Sequence, residues 1–480
     1  MKRLSILLVL FVGCLLTSGQ GFKVTLQCNG FRSGIVYLTY YMGNNLNIAD
    51  SAAFNENGKA VFKGTGKLYP GIYVIVFPGK QLRAELLIDK EQTLSITADT
   101  SDLVNKTLVS GSKENIPYMQ YQKFVLAKGK ILQDEKMAFM SSRTRADSLL
   151  HEKNYNTVNR QLNDYRENFI RTQPTSMLAI LLKAMKEPAL PPKVAVTHQD
   201  SVNNYYYYKY HYWDGITFMD DRVIRTPFFI KKLETYYHEV LPQMADSIIR
   251  DADYKLLLAR SAPEMFKFLL NWLTDEYLNP KYMGQDAVFV HLFEKYHSKG
   301  VSNWLNEKQM ETISRRAYML MANLIGEKGA NLEMIDSAGT PSPLYDVSAD
   351  YTIICFWDPH CGHCKEEIPR IDSVFRVNWK KHNLKIYAVL TQDEKEDLKK
   401  DWINYIKEHD LTGWVHVYQT REMEKAELAA QKPGFRQLYD VTITPTLYLL
   451  DKEKHIIGKK LTWQQLNDLL EIKWKTNLQQ

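Results

Sequence analysis

The sequence has few cysteines, five among 480 residues. One of them, Cys14, lies in an N-terminal apolar segment, so four remain for the rest of the chain: Cys28, Cys355, Cys361 and Cys364. A small exported domain held together by disulfides would use many more. Only Cys361 and Cys364 are close enough in sequence to suggest a local pair. The pattern therefore favours a catalytic use of cysteine over a structural one.

The sequence also lacks a strong excess of charge and a late apolar run. Its 61 basic and 55 acidic residues give a formal charge of +6, and no basic block is dense enough to follow a phosphate backbone. Nucleic acid is therefore not an expected partner. After the N-terminal segment, no apolar stretch is long enough for a transmembrane helix. The composition is globular, and the length predicts about three domains.

The first 19 residues have the pattern of a signal peptide. A basic Lys2-Arg3 pair precedes an apolar run that ends at Leu16, and small residues follow. This run is too short to span a bilayer comfortably. Cys14 offers a competing interpretation, lipid attachment, but the surrounding residues fit a lipidation motif poorly. We therefore expect soluble export to the periplasm or cell envelope, with a lipid anchor through Cys14 as the less favoured alternative.

Residues 20–111 predict an N-terminal antiparallel β-sandwich. Apolar residues alternate with polar ones from Phe22 to Cys28, which gives a strand with one buried face and one wet face. Further short strands are predicted between Gly, Pro and Asn breaks, at Ile35–Tyr41, Ala60–Lys63, Gly71–Phe77, Glu85–Ile88 and Thr93–Ala98. Asn57-Gly58 predicts a hairpin, because both residue types tolerate positive φ. Cys28 lies on the apolar side of its strand and is expected to be a buried, inert thiol.

Over residues 112–325 the spacing of apolar residues changes to that of helices, which predicts a central α-helical domain. The sequence from Ser261 to Glu264 reads as a capping box with proline in the first turn. The segment Tyr205–Trp213 holds seven aromatic residues among nine. Such a segment could grip extended polypeptide. We favour the alternative that it packs within the protein, with tyrosine hydroxyls reaching water.

Residues 326–480 alternate between strand and helix patterns, which predicts an α/β sheet with crossover helices. The predicted strands are Thr352–Phe356, Lys385–Leu390, Val415–Tyr418, Thr446–Leu450 and Ile456–Lys459. The predicted helices are Lys365–Trp379, Asp393–Glu408 and Trp463–Trp474.

A conspicuous motif follows the first of these strands. It reads Cys355-Phe356-Trp357-Asp358-Pro359-His360-Cys361-Gly362-His363-Cys364, with Pro369 further along the predicted helix and a distant Thr444-Pro445-Thr446. This combination resembles the active site of the thioredoxin superfamily, in the style of the secreted TlpA and ResA-like thiol–disulfide oxidoreductases. The resemblance covers about the last third of the chain and implies a C-terminal thioredoxin-like fold. A β-rich front and a helical middle also resemble an envelope protein family.

The spacing of the two cysteines has a direct chemical consequence. A Cys-x-x-Cys at a strand-to-helix junction places its first sulfur at the helix N-terminus, where free N–H groups and the helix dipole stabilise a thiolate. Cys361 is then the nucleophile, and Cys364, one turn along, resolves the mixed disulfide. His363 can stabilise the Cys361 thiolate, or it can be a solvated turn residue.

The resemblance also implies roles for neighbouring residues. Many thioredoxins carry a buried carboxylate six residues before the nucleophile, where this chain has Cys355, so another group must accept the proton of the second cysteine. Cys355 itself is expected to be a buried core thiol rather than a third redox partner. Glu367 matches a glutamate of the ResA-like group and is the candidate, although it could simply complement the helix dipole. Pro445 resembles the cis-proline of the superfamily, Thr444 would pair with an extended substrate, and Trp357 would contact substrate.

We therefore predict a dithiol–disulfide exchange enzyme that acts on protein disulfides in the cell envelope. No bound cofactor or metal is expected, because ligands crowded within five residues close a zinc tetrahedron poorly and the histidine of a haem attachment motif is missing after Cys364. A membrane or periplasmic thiol–disulfide electron partner is required. We favour a reductase. The alternatives are an isomerase or oxidase of the same fold, which Cys-Gly-His-Cys resembles, and a non-catalytic binding protein that uses the fold as a scaffold.

Overall fold

The computed structural model describes residues 21–391 and 396–477. The predicted signal peptide and Cys14 lie outside the described residues. The chain divides into two compact units, one of Met1–Leu241 with Lys255–Phe268 and one of Pro242–Tyr254 with Leu269–Gln480. Among the described helices, none has both the length and the apolar character that a bilayer crossing requires.

The first unit begins with a β-rich region of two four-stranded sheets. Their orders are β4-β1-β7-β8 and β3-β2-β5-β6. Both sheets give side chains to one hydrophobic cluster, which includes Leu26 of β1 and Leu38 of β2. The strands are β1 (Phe22–Cys28), β2 (Ile35–Met42), β3 (Asn45–Ala53), β4 (Lys59–Gly64), β5 (Gly71–Val76), β6 (Arg83–Ile88), β7 (Thr93–Ala98) and β8 (Leu108–Ser110).

Two features of the strand pairing differ from the prediction of an antiparallel domain with a hairpin at Asn57-Gly58. Strands β1 and β7 are parallel, so the prediction of a wholly antiparallel domain is wrong at this pair. The turn at Asn57-Gly58 does form, with Gly58 at φ +70° and its N–H donating to the Asn55 carbonyl at 2.8 Å. However, β3 pairs with β2 whereas β4 pairs with β1. The turn therefore carries the chain from one sheet to the other and closes no hairpin.

Within residues 21–325, ten α-helices follow or interrupt these strands. They are α1 (Leu103–Lys106), α2 (Asn115–Ser141), α3 (Arg145–Thr172), α4 (Met177–Ala184), α5 (His198–His211), α6 (Phe229–Thr235), α7 (Ala245–Leu258), α8 (Pro263–Leu278), α9 (Asp286–Leu292) and α10 (Glu307–Met321). The middle of the chain is thus helical, as the sequence predicts. In the first unit, α5 carries most of the aromatic segment, with Tyr210 76% exposed and Tyr212, just after the helix, buried.

Helix α8 begins at the predicted proline but without the predicted capping box. The Ser261 hydroxyl donates to the Leu258 carbonyl, and Glu264 pairs with Arg225 at 3.0 Å. The N–H of Met265 donates instead to the Asp221 carboxylate at 2.8 Å. A distant side chain therefore caps this helix.

The C-terminal α/β region of the second unit has a six-stranded sheet of order β14-β13-β10-β11-β12-β9. Strands β10, β11 and β12 are parallel neighbours, and β13 joins β10 antiparallel. The strands are β9 (Ile335–Asp336), β10 (Tyr351–Trp357), β11 (Leu384–Leu390), β12 (Val415–Tyr418), β13 (Thr446–Leu450) and β14 (Ile456–Lys459). The helices are α11 (Gly362–Val377), α12 (Glu396–Glu408), α13 (Arg421–Ala429), α14 (Phe435–Leu438) and α15 (Trp463–Asn477).

The central strand β10 is buried on both faces. Cys355 and Trp357 belong to one hydrophobic cluster, whereas Ile354 and Phe356 belong to a second cluster on the opposite face. A strand covered on both sides reads as a continuous apolar run, as this one does. Because β10 ends at Trp357, it delivers the following loop to the carboxyl edge of the parallel strands.

Candidate active site: the Cys361–Cys364 motif

A short loop after β10 places Cys361 at the start of helix α11. Cys361 is the N-cap residue with extended backbone (φ −72°, ψ 124°), and its N–H donates to the Asp358 carbonyl at 3.2 Å. The Asp358 carboxylate accepts from the His360 N–H at 2.8 Å. Since the first N–H groups of a helix have no partner within it, the Cys361 sulfur lies where a negative charge is favoured.

The surroundings of Cys361 stabilise its thiolate. Burial raises the pKa of Cys361, but hydrogen bonds from the Thr444 side chain, from Cys364 and from the backbone of His363 outweigh burial and leave this pKa below its ordinary value. The side chain is partly exposed. Cys361 therefore has a solvent-accessible sulfur and a stabilised thiolate, the two properties that a reactive cysteine needs.

Cys364 has the opposite environment. It is fully buried, and burial is the main cause that raises its pKa to about 12. At neutral pH Cys364 is therefore a thiol while Cys361 is the better nucleophile. This difference separates an attacking cysteine from a second cysteine that reacts only with its neighbour.

The loop before β13 completes the cysteine environment. The bond between Thr444 and Pro445 is cis, as the resemblance implies. The Cys361 thiol donates to the Thr444 carbonyl at 3.3 Å. Both Thr444 and Pro445 are partly exposed, and the neighbouring Ile443 is 73% exposed. The backbone of Thr444 is therefore next to the reactive sulfur and close to solvent.

The two predicted auxiliary residues occupy the first turns of α11. His363 is exposed. Glu367 has a side chain 28% exposed, and it accepts a hydrogen bond from Arg370 at 2.9 Å. Both residues lie on the same helix as the cysteines, and their roles remain predictions.

Trp357 requires a correction. The sequence suggested contact with substrate, but Trp357 is fully buried and packs against Tyr405 (ring centroids 5.4 Å apart) and His416 (6.4 Å). Its position on β10 points it into the core below the motif, so we assign it to the packing that supports the site. Cys355 is also fully buried, and burial raises its pKa well above the ordinary value, which confirms the expected core thiol.

Sequence reasoning missed contributions from helix α12. Asp401 accepts a hydrogen bond from His360 Nε2 at 2.9 Å, which ties the motif loop to this helix. Tyr405, one turn later, packs against the core cluster that contains Cys364. The i, i+4 spacing of Asp401 and Tyr405 places them on one face, but only tertiary structure shows that this face meets the motif.

A possible cation site lies elsewhere. Within the described part of the chain, one group of three potential ligands has its ligand atoms within 4.8 Å of one another, namely Asp451, Glu453 and His455 on the turn between β13 and β14. His455 is already held by Asp451 through a backbone hydrogen bond of 2.8 Å and a side-chain contact of 3.3 Å. These contacts explain the grouping without an ion.

Comparison with known families identifies two segments. Residues 22–118 match a domain of unknown function, DUF4369, and residues 325–459 match the AhpC/TSA family. The chain is also similar to the thiol-disulfide oxidoreductase ResA of Bacillus cereus, with 27% identity over 147 residues that cover 31% of this chain and 75% of that protein.

Two solved structures are also similar. The crystal structure of a domain of a possible thiol-disulfide isomerase from Cytophaga hutchinsonii has 35% sequence identity and covers 32% of this chain and 96% of its own, with a TM-score of 0.27. A thioredoxin-like protein from Bacteroides caccae has 22% identity and covers 60% of this chain and 99% of its own, with a TM-score of 0.45.

Proposed function

Because the C-terminal region of this chain belongs to the thioredoxin-like thiol–disulfide oxidoreductases of the AhpC/TSA family, we propose that the protein exchanges disulfides with protein substrates in the cell envelope. The redox-active groups are Cys361 and Cys364 of the Cys-Gly-His-Cys motif. The favoured direction is reduction of substrate disulfides, with electrons supplied by a membrane or periplasmic thiol–disulfide partner.

The main support is the contrast between the two sulfurs. Cys361 is partly exposed at a helix N-terminus with a lowered pKa, and Cys364 is buried three residues later with a pKa of about 12. A pair arranged in this way can attack an external disulfide with one sulfur and release the product with the other.

The reaction proceeds in two exchanges. The Cys361 thiolate attacks one sulfur of a substrate disulfide, and the other substrate sulfur leaves as a thiolate and takes up a proton. Cys364 then loses its proton and attacks Cys361, so that the Cys361–Cys364 disulfide forms and the second substrate thiol is released. The substrate disulfide gains two electrons, and the Cys361–Cys364 pair loses two electrons when its own disulfide forms.

Neighbouring residues supply positioning and proton transfer in this proposal. The Thr444 backbone, beside Pro445 and 3.3 Å from the Cys361 sulfur, pairs with an extended substrate segment. Glu367 accepts the proton of Cys364, and His363 stabilises the Cys361 thiolate. The exposed Ile443 gives the same loop an apolar contact for substrate.

One observation favours a second candidate function, disulfide formation or isomerisation. A lowered pKa of Cys361 stabilises the reduced pair and makes the couple more oxidising. The direction of exchange therefore depends on how strongly the thiolate is stabilised, which a reduction potential measures directly.

The front of the chain is proposed to serve targeting and binding. We infer a signal peptide over residues 1–19, a β-sandwich over 20–111 whose two sheets share one core, a helical domain over 112–325 and the thioredoxin-like domain over 326–480. If the protein were a binding protein without activity, the front domains would carry the function and the cysteines would be dispensable.

Insulin reduction by the full chain tests the proposal. Wild type should reduce insulin disulfides with dithiothreitol as electron source, and Cys361→Ser should abolish this rate enhancement. Cys28→Ser is the matched control, because Cys28 is buried in the β-rich region, where burial raises its pKa. A Cys361→Ser variant with wild-type activity would refute the proposal.

A further inference from the structure

Outside the cysteine motif, the second unit contains a cavity of about 400 Å³. Its walls come from the loop between α8 and α9, from α10, from the segment after α14, and from the end of β14 with the start of α15. This volume is in the range of pockets that hold small molecules. Four basic and two acidic side chains line it, which gives a net charge of +2: Lys281, Arg316, Lys459, Lys460, Asp286 and Asp440. We call it the basic cavity.

The two acidic side chains of the basic cavity are already paired. Asp286 pairs with Lys459. Asp440, with a side chain 1% exposed, accepts from Arg316 at 2.7 Å through one oxygen and from Lys460 at 2.5 Å through the other. Burial raises the pKa of Asp440, but the hydrogen bonds from Lys460 and Arg316 outweigh burial and leave this pKa below its ordinary value. Asp440 is therefore a carboxylate at neutral pH, and a ligand meets acidic groups whose charge is already balanced.

Two of the basic side chains keep N–H groups for a ligand. Arg316 is held by Asp440 through Nη1 and by the Leu278 carbonyl through Nε at 3.4 Å, and its Nη2 donates no hydrogen bond within residues 21–391 and 396–477. The ammonium group of Lys281 lies 5.4 Å from the centre of the Tyr282 ring and forms no ion pair in the same part of the chain. The donors of the basic cavity therefore exceed the acceptors that its own residues supply.

The amide of Gln465, which also lines the basic cavity, is oriented by a capping box at the start of α15. Gln465 Oε1 accepts from the Thr462 N–H at 3.0 Å, and the Gln465 N–H donates to the Thr462 hydroxyl at 3.3 Å. The amide nitrogen, Nε2, donates no hydrogen bond to any residue that the structure describes. Because the amide oxygen is fixed, this nitrogen is a preorganised donor, and preorganisation lowers the cost of binding.

We propose that the basic cavity binds a doubly charged phosphate group, either as free phosphate or as the phosphate ester of a small molecule. A phosphate ester carries about −1.5 to −2 charges at pH 7 and has three strong acceptor oxygens. These properties match the net charge of +2 and the unused donors of Arg316, Lys281 and Gln465. Arginine and lysine bind phosphate through charge-assisted hydrogen bonds. The site lies outside the Cys361–Cys364 motif, so the inference does not depend on the exchange function.

Isothermal titration calorimetry of the full chain tests this site. Glycerol 3-phosphate and inorganic phosphate are the probes, and acetate is the singly charged control. A pH of about 8 keeps phosphate doubly charged, and low ionic strength limits screening. One phosphate should bind per chain, and acetate should bind about tenfold more weakly or worse. Tighter binding of glycerol 3-phosphate would assign the site to a phosphate ester, and equal or tighter binding of inorganic phosphate would assign it to the free ion.

Gln465→Glu is the most informative variant. Glutamate can still accept from the Thr462 N–H in a capping box, so α15 is preserved, but a negative charge replaces the free amide N–H groups. Phosphate binding should weaken by about tenfold or more, with unchanged urea unfolding. The matched control is Gln309→Glu, because Gln309 has the same capping-box position at the start of α10, with Asn306, and lies outside the basic cavity. Gln309→Glu should bind phosphate as wild type does.

Lys281→Gln provides a second test that does not involve a helix cap. Lys281 is exposed, so its replacement should leave urea unfolding unchanged and weaken phosphate binding by about tenfold. The inference is overturned if wild type binds no phosphate, if acetate binds as tightly as phosphate, or if Gln465→Glu and Lys281→Gln both bind phosphate like wild type. It is also overturned if Gln309→Glu weakens binding as much as Gln465→Glu, which would indicate general repulsion by the added charge.

Discussion

A buried ion pair in the second unit provides a quantitative test of the fold. Lys459, the last residue of β14, pairs with Asp286 at the start of α9, and their side chains are only 7% and 4% exposed. Lys459 also donates to the backbone and side-chain oxygens of Asn323 at 2.8 and 3.0 Å. Burial lowers the pKa of Lys459, and the charge of Asp286 opposes that effect. The pair therefore joins the helices to the C-terminal sheet within this unit.

Lys459→Met should destabilise the second unit by about 3–5 kcal/mol, because it leaves the Asp286 carboxylate buried without its cation. One oxygen of that carboxylate already has no partner among the described residues. The double variant Lys459→Met with Asp286→Leu removes both charges and should recover most of the loss, since apolar replacement of a whole buried pair is often neutral.

Urea unfolding followed by fluorescence and circular dichroism measures these differences, with the transition of the second unit fitted separately. Lys475→Met is a suitable control, because its contact with Glu471 is at the surface and 3.9 Å long. A loss below about 1 kcal/mol in Lys459→Met, or a double variant no more stable than the single one, would refute the reasoning.

Three further predictions concern the site and the β-rich region. The alkylation rate of Cys361 by iodoacetamide should rise with pH and reach its plateau below the pH expected for a free cysteine, because its pKa is lowered; a midpoint at or above the ordinary value would contradict this. When the reduced protein reacts with one equivalent of 5,5′-dithiobis(2-nitrobenzoate), Cys361 releases a first coloured thiolate and Cys364 a second; Glu367→Gln should slow only the second release, whereas Glu366→Gln, at an exposed neighbour, should slow neither. Equal rates in all three proteins would remove Glu367 from the mechanism. Phe62→Ala should cost about 3–5 kcal/mol in urea unfolding, since Phe62 is fully buried, and Leu108→Ala, 65% exposed, should cost little; similar losses would argue against the shared core.

Local sequence signals predicted the elements that carry the cysteines. The apolar run of β10 and the two-residue spacing of Cys361 and Cys364 identify a strand-to-helix junction. The helix begins at Gly362, three residues before the predicted start at Lys365, and directly after Cys361. Strands β12, β13 and β14 have the predicted bounds. These features could be predicted because period, turn chemistry and motif spacing all operate over a few residues.

The features that sequence reasoning missed depend on distant contacts. Asp221 caps α8 from outside that helix, and the turn at Gly58 joins two sheets rather than two paired strands. Strand β3 was overlooked because its residues are mostly exposed or half-buried and show no clear alternation. The burial of Trp357 and the packing of Tyr405 against the cluster that contains Cys364 likewise depend on how α12 packs, which no local pattern records.

The central claim is that Cys361 and Cys364 form one reversible dithiol–disulfide couple. Equilibrating the full chain with glutathione buffers, then locating free thiols by mass spectrometry, measures its reduction potential directly. We expect a single two-electron transition confined to this pair, with Cys28 and Cys355 reduced throughout. A value near −270 mV, about that of thioredoxin, fits the proposed reductase, and one near or above about −180 mV indicates an isomerase or oxidase. Failure to form the Cys361–Cys364 disulfide at any glutathione ratio would contradict the account.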